Sequence, residues 1–287
     1  MNAKLKALLQ LERLKHSLPV TIFVSLLGAA ATQSNPSLLL LFVLLANLCV
    51  SWLYFTLRDL QFAPLDVSKQ DKQPQNPVAT GLISPKTANI LLLLVGIIAI
   101  VLYALAGIKT LITGVVLLIV VFILNWRKLG LQKRFYLKTS PYHFLVNSFM
   151  CLLGSLSLNP VLNQVSLLAI GFVLFILLYA SFIDQARQVV SKKTLRILNV
   201  GAVISLTLAI LLAIAIFIFV ALLPYWIVGL FMLLLAIMIV PQIIERRREK
   251  LKPNLDYDVF RIAVFRAAAI AMLVHFLVPL VFHLFSQ

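Results

Sequence analysis

The sequence is a succession of long apolar runs, and this feature limits the fold more than any other. A helix needs about 20 apolar residues to cross the hydrocarbon core of a bilayer, and runs of roughly this length recur along the whole chain. Among its 287 residues, 62% are hydrophobic and only 12% are charged, which leaves too little polar surface for a water-soluble domain. The sequence therefore predicts an all-α, polytopic membrane protein.

Charges and prolines interrupt these runs and predict nine transmembrane helices in a single domain over residues 1–287. The predicted spans are residues 17–32, 36–57, 88–107, 110–126, 142–158, 163–183, 198–221, 223–243 and 259–285. Residues 1–16 carry regularly spaced leucines and four basic residues. This segment predicts an amphipathic helix on the membrane surface, in preference to a cleaved signal peptide.

Basic residues are concentrated on one side of the predicted membrane. Of the 25 Lys and Arg residues, 23 lie in the N-terminal segment, in connections that follow even-numbered spans or, for Arg261, at the adjoining start of the ninth span, and the exceptions are Lys109 and Arg266. The positive-inside rule then predicts a cell (inner) membrane protein with a cytoplasmic N-terminus, cytoplasmic long loops and an external C-terminus. The net charge of +16 favours anionic partners, which we expect to be membrane lipids or a phosphorylated substrate and not nucleic acid.

All nine acidic residues also fall on the predicted cytoplasmic side, where two predicted loops stand out. These loops are residues 58–86, with Asp59 and Asp66, and residues 184–196, which begin with Asp184. Carboxylates beside basic side chains suit a magnesium-bridged diphosphate, because magnesium takes one or two carboxylates and completes its shell with water and phosphate oxygens. The alternative is an ordinary hydrated loop whose charges anchor helix ends.

The segment Asp59–Ser84 resembles the signature loop of the UbiA-type intramembrane prenyltransferase superfamily. In that family an N-D-x-x-D-x-x-x-D motif ends the second of nine helices, and a stretch similar to N-R-P-V-A-x-G-x-I-S follows. Residues 76–84 read N-P-V-A-T-G-L-I-S, one residue shorter. The span number, the orientation and the position of the motif agree with the family over nearly the whole chain.

The resemblance implies nine helices around a central cavity that opens to the cytoplasm. It further implies a magnesium-dependent prenyltransferase that transfers a polyprenyl group from its diphosphate to an aromatic, quinone-precursor or lipid acceptor. Asp59, Asp66 and Asp184 would be the catalytic residues and the metal ligands. The implied substrate-binding residues are Arg58, Lys69, Lys72, Asn76, Lys133, Arg134, Arg187, Lys192 and Lys193.

Three positions depart from the family pattern. Arg58 replaces the motif's Asn, Phe62 replaces its middle Asp, and Gln188 stands where the second motif has its second Asp. These departures keep open a catalytically weakened or inactive relative that binds isoprenoid lipid or a partner subunit. A small transporter is a further alternative, although the sequence lacks a chain of paired intramembrane charges.

Overall fold

The computed structural model describes residues 14–32, 34–67, 76–125, 142–186, 192–219, 266–270, 272–276 and 278, and these residues form helices and connections with no strand. The helices are α1 (Leu14–Ala31), α2 (Leu38–Asp66), α3 (Pro85–Ala106), α4 (Ile108–Asn125), a π-helical turn (Tyr142–Val146) that leads into α5 (Asn147–Leu158), α6 (Gln164–Ala186) and α7 (Lys192–Phe219). Residues 266–270 and 272–276 are also helical.

The helices coincide with the first seven predicted spans. Five segments are long and apolar enough to cross a bilayer: Leu38–Pro64, Pro85–Ala106, Ile108–Asn125, Gln164–Ile183 and Thr194–Ile216. Shorter apolar helices cover Ser17–Ala31 and Phe144–Leu158. The eighth predicted span lies outside the described residues, as does the amphipathic segment up to residue 13, and the ninth is described only in part. The count of nine therefore stays a prediction.

Two predicted loops are shorter in the structure, because the helices that border them extend further. The sequence predicts a loop that begins at Arg58, but α2 continues as helix to Asp66. Leu60 and Ala63 pack against a small cluster of Val78, Ile83 and Ala88, so tertiary packing continues past the point where hydropathy falls. Pro64 lies in the last turn of α2, and the helix ends two residues later, as expected because proline removes a helical hydrogen bond and crowds the preceding turn. The predicted second loop is likewise shorter, because α6 ends at Ala186 and α7 begins at Lys192.

Successive helices run in opposite directions, so their connections collect at two ends of the bundle. Lys109 at the start of α4 donates from Nζ to the carbonyl oxygen of Pro160 at 2.9 Å. Asn163 donates from Nδ2 to the carbonyl oxygen of Ala31 at 3.1 Å. These contacts join the connections 32–37 and 159–163 and the α3–α4 joint at one end, here named the short-connection end. The C-terminal ends of α2, α4 and α6 lie at the opposite end of the bundle, here named the long-connection end because the longer connections of the sequence follow these helices.

A single residue joins α3 to α4. Gly107 has φ = 126°, a conformation that side chains rarely permit, and both neighbouring residues are helical. Thr110 closes the joint by donating from Oγ1 to the carbonyl oxygens of Tyr103 at 2.9 Å and Gly107 at 2.6 Å. α3 and α4 therefore form a helical hairpin with almost no loop.

Glycines allow α1 and α5 to approach closely in the bundle core. A Cβ atom on Gly28 would lie 1.8 Å from the carbonyl oxygen of Cys151, and one on Gly154 would lie 1.9 Å from that of Ser25. Ser155 donates from Oγ to the carbonyl oxygen of Gly28 at 2.8 Å. Small residues and interhelical hydrogen bonds are the usual means by which helices associate in a membrane.

Asn47 links four helices through a buried polar network near the same crossing. Its Nδ2 donates to Ser25 Oγ of α1 at 2.8 Å and to the carbonyl oxygen of Met150 of α5 at 3.4 Å. Its Oδ1 accepts a hydrogen bond of 2.7 Å from the hydroxyl of Tyr103 of α3. Because all its described hydrogen-bonding groups are satisfied, the network fixes the mutual register of α1, α2, α3 and α5.

Candidate functional site

Asp59 lies in the part of α2 nearest the long-connection end and is only 1% exposed. An ionised carboxylate is costly at such a position unless cations or hydrogen-bond donors compensate its charge. Asp59 is the only one of the three predicted metal ligands whose side chain the structure describes. Its burial makes it the centre of the candidate site.

Asn76 holds the connection between α2 and α3 against Asp59. Its Nδ2 donates to the backbone carbonyl oxygen of Asp59 at 2.9 Å. Its Oδ1 accepts from the backbone N–H groups of Val78 and Ala79 at 3.0 and 3.1 Å. The amide is therefore engaged by backbone on both sides. This gives Asn76 a positioning role, and the predicted direct contact with substrate stays a prediction.

The turn that follows Asn76 explains why this sequence folds back on α2. The N–H of Thr80 donates to the carbonyl oxygen of Asn76 at 3.1 Å, and the N–H of Ile83 donates to that of Pro77 at 3.1 Å. Gly81 has φ = 74°, which glycine adopts without strain. Ser84 then caps α3, because its Oγ accepts from the N–H of Thr87 at 3.1 Å and Pro85 occupies the first helical position.

The other predicted site residues are described to different extents. Arg58 is half-buried on α2, adjacent to Asp59. Asp66 and Asp184 lie in the last turns of α2 and α6, and Lys192 and Lys193 begin α7, but their side chains lie outside the described set. Outside the described residues altogether are Lys69, Lys72, Lys133, Arg134 and Arg187.

The structure brings Asp59 and Asn76 together directly, and the helix directions put Asp184 at the same end of the bundle. Among the described side chains, no group of three or more His, Cys, Asp or Glu residues assembles. The convergence of all three predicted carboxylates therefore stays a prediction.

Uncharged polar residues that the sequence analysis did not assign to the site also lie buried at the long-connection end. Asn125 ends α4, Asn147 begins α5 and Gln185 lies in the last turn of α6. Asn125 donates from Nδ2 to the carbonyl oxygen of Val121 at 2.9 Å. The π-helical turn before Asn147 is a local irregularity of the kind that recurs at functional sites. Their positions in the sequence could have indicated them, since each of these residues ends or begins an apolar run.

Along α2, Trp52, Thr56 and Asp59 follow one another at spacings of four and three residues, which places them on one face of the helix. The apolar side chains that precede Trp52 on this face line a half-open groove with a volume of about 470 Å³. Its walls include Leu45, Leu48, Cys49 and Trp52 of α2 and Ile98 and Leu102 of α3, and Ser17 of α1 closes it. The face therefore changes from apolar to polar to acidic toward the long-connection end.

Antiparallel apolar helices with a buried carboxylate near one end define a helical protein of the membrane type. The family model of the UbiA prenyltransferase family matches residues 18–264. The chain belongs to this family.

Solved structures with the same fold have low sequence identity to this chain. An apo UbiA homologue from Aeropyrum pernix K1 matches with a TM-score of 0.69 and 14% identity, over 88% of this chain and 96% of the homologue. A UbiA homologue from Archaeoglobus fulgidus, bound to GPP and Mg²⁺, matches with a TM-score of 0.61 and 15% identity, over 93% and 99%. A digeranylgeranylglyceryl phosphate synthase matches with a TM-score of 0.59 and 17% identity, over 97% and 99%. No curated protein matches the sequence.

Proposed function

We propose that this protein is a membrane-embedded prenyltransferase that transfers a polyprenyl group from a prenyl diphosphate to a hydrophobic acceptor. The observation that carries the proposal is the buried Asp59 carboxylate, held by the Asn76 turn at the mouth of a bundle with the family fold. The bound GPP and Mg²⁺ of the Archaeoglobus fulgidus homologue support the same chemistry here.

The donor chemistry of Asp59 fits magnesium, because this ion prefers carboxylate oxygens and is bound with few protein ligands. Asp59 would hold the ion and, by resemblance to the family, Asp66 and Asp184 would complete the protein ligands. When bound, magnesium would neutralise the diphosphate oxygens and favour their departure. Residues of this chain supply the remaining charge, positioning and apolar surface of the site.

Arg58 is adjacent to Asp59 and supplies a cation that partly offsets the charge of the diphosphate. Asn76 keeps the backbone of Asp59 in place, and the apolar walls of α2 and α3 exclude water from the allylic carbon. In the transfer, the bond between the allylic carbon and the diphosphate oxygen breaks, and its electron pair leaves with the diphosphate. A nucleophilic atom of the acceptor forms the new bond and loses its proton.

The substitution Asp59→Asn tests the proposal. Magnesium plus geranyl diphosphate at about 100 times its Kd should stabilise the wild-type protein by about 2.7 kcal/mol, because the ligand binds only the folded site. The resulting rise in melting temperature should be mostly absent in Asp59→Asn. Asp71→Asn is the control, since Asp71 belongs to the same connection but to none of the predicted ligands, and it should keep the full shift. An equal shift in wild type and Asp59→Asn would place the diphosphate elsewhere.

A relative that binds the diphosphate without transferring it is the second candidate. Phe62, at the position of the family's middle Asp, favours it, because this residue removes one carboxylate from α2. Incubation with radiolabelled prenyl diphosphate and a membrane lipid extract separates the two candidates. Label that moves to the lipid fraction in wild type, but not in Asp59→Asn, identifies the enzyme. A magnesium-dependent thermal shift without such transfer identifies the binder.

A further inference from the structure

Thr56 has a hydroxyl group whose hydrogen bonding differs from that of Ser25 and Thr207, two other helical hydroxyls in this chain. Ser25 and Thr207 donate to the carbonyl oxygens four residues earlier, at 2.7 and 2.9 Å. Thr56 is only 1% exposed, yet its Oγ1 has no hydrogen-bond partner among the described residues. A buried hydroxyl in this state destabilises the folded protein, because it has lost its bonds to water without replacement. Its position one turn from Asp59 points to a ligand that supplies the missing bond.

Trp52 presents the same deficit one turn earlier on the same face of α2. Its indole Nε1 is buried and has no acceptor within the described part of the chain. The indole N–H can only donate, whereas the threonine hydroxyl can donate or accept. A ligand hydroxyl satisfies both groups, because its oxygen accepts from Trp52 Nε1 and its O–H donates to Thr56 Oγ1.

The groove beside Trp52 supplies a site for a long apolar chain. Its volume of about 470 Å³ is in the range of ligand pockets. Leu45 and Ile98 on its rim are 42% and 49% exposed and belong to membrane-crossing helices, so the groove is open to lipid. Leu45, Trp52 and Asp59 are seven residues apart, so each step along the face is about 10 Å. A chain that lies in the groove with its polar end toward Asp59 would bring its first polar atoms to Trp52 in the groove wall and to Thr56 one turn beyond it.

From this juxtaposition we propose that the groove, Trp52 and Thr56 bind a long-chain membrane lipid with a free hydroxyl group, and that this lipid alcohol is the acceptor. The proposal rests on the prenyltransferase function and selects the acceptor class. A bare isoprenoid chain has no oxygen to offer Trp52 and Thr56, and an anionic aromatic acid finds no cation in this pair. The hydroxyl oxygen bonds to the allylic carbon as the carbon–diphosphate bond breaks, the electron pair leaves with the diphosphate, and the hydroxyl proton passes to water.

Cys49 allows the binding step to be measured without catalysis. It lies half-buried in the groove wall, whereas the other cysteine, Cys151, is fully buried in the bundle. N-ethylmaleimide should therefore modify Cys49 and spare Cys151. A long-chain glycerol monoether with free hydroxyls should protect Cys49, and the same ether with its hydroxyls methylated should protect it much less. Squalene, which has no oxygen, should also protect weakly.

Variants that each remove one hydrogen-bonding group test the two hydrogen bonds. Thr56→Val and Trp52→Phe should each raise the half-protecting concentration of the glycerol monoether about fivefold, as expected for one hydrogen bond of about 1 kcal/mol. Thr207→Val is the matched control, because Thr207 is exposed and bonds within its own helix. It should leave protection unchanged. Where Cys49 is already protected after purification, native mass spectrometry of the bound lipid gives the same comparison among these variants.

Equal protection by the monoether and squalene would overturn the proposal, as would wild-type protection in both Thr56→Val and Trp52→Phe. This result is separable from a failure of the proposed function, because the assay contains neither magnesium nor diphosphate. Asp59→Asn should keep the hydroxyl-dependent protection of Cys49 while losing the diphosphate-dependent thermal shift.

Discussion

At the scale of single residues, Asn76 determines the shape of the site although it carries no charge. Its amide joins the backbone of α2 at Asp59 to the turn that leads into α3. Each of its three described hydrogen bonds ends on a backbone atom, so no neighbouring side chain can substitute for it by changing rotamer. The position of Asp59 relative to the following connection therefore depends on this amide together with the packing of Leu60 and Ala63 against Val78 and Ile83.

Asn76→Ala should lower the free energy of unfolding by about 1–3 kcal/mol, because buried backbone groups lose their partners. It should also reduce the thermal shift caused by magnesium and geranyl diphosphate, although the carboxylate of Asp59 remains. Thermal denaturation with and without these ligands measures both effects. Asn35→Ala is the matched control, since Asn35 is exposed at the short-connection end and the substitution should change neither quantity. Unchanged ligand binding in folded Asn76→Ala would remove its positioning role.

The sequence could identify Asp59 because a carboxylate at the end of an apolar run is conspicuous. It gave no comparable signal for Trp52 and Thr56, which are uncharged and sit inside the run. Their spacing from Asp59 places them on one helix face, but many residues in a membrane helix share a face without sharing a site. Only packing distinguishes a hydroxyl bonded to its own helix from one with no described partner.

At the scale of helices, the crossing of α1 and α5 leaves no room for side chains at its contact points. Gly28 and Gly154 each face a backbone carbonyl of the other helix, which cannot move aside as a flexible side chain can. Ser155 adds a hydrogen bond across the same contact. The sequence shows these residues only as small members of apolar runs, so hydropathy finds the helices but not their crossing point.

Gly28→Leu should sharply reduce the yield of folded protein, because its Cβ alone would overlap the carbonyl oxygen of Cys151. A smaller substitution allows a matched control. The variant Gly28→Ala is therefore compared with Gly96→Ala. A Cβ on Gly96 would lie 3.4 Å from Leu53 Cδ1, an ordinary contact, and alanine favours helix by about 1 kcal/mol. Size-exclusion profiles and melting temperatures should therefore separate the two alanine variants. Equal stability would contradict the close crossing.

At the scale of the whole molecule, the alternation of short and long connections follows from hydropathy and charge together. The sequence placed the seven helices α1 to α7, since each contains an apolar run, and the family assignment is confirmed. It misplaced the end of α2 because Arg58 and Asp59 lower hydropathy locally, whereas Leu60 and Ala63 continue the packing of the helix. A hydropathy profile contains no term for such contacts. The orientation in the membrane stays a prediction from charge.

A topology reporter fused at Lys72, Lys138, Lys193 or Lys250 should give a cytoplasmic signal, and one fused at Asn159 an external signal. The expectation rests on the bias of 23 among 25 basic residues to one side. Paired reporters, one active only in the cytoplasm and one only outside it, supply the internal control at each site. A cytoplasmic signal at Asn159 would break the predicted arrangement of nine spans.

The one-residue joint at Gly107 bears on how the chain enters the membrane during synthesis. Because α3 and α4 are separated by a single residue, we expect that neither helix inserts into the bilayer independently of the other. We expect the pair to partition into lipid as one unit, with Lys109 at its tip. The carbonyl oxygen of Pro160, which is made later in synthesis, then accepts a hydrogen bond from Lys109 Nζ, so this contact forms only after the hairpin has been made.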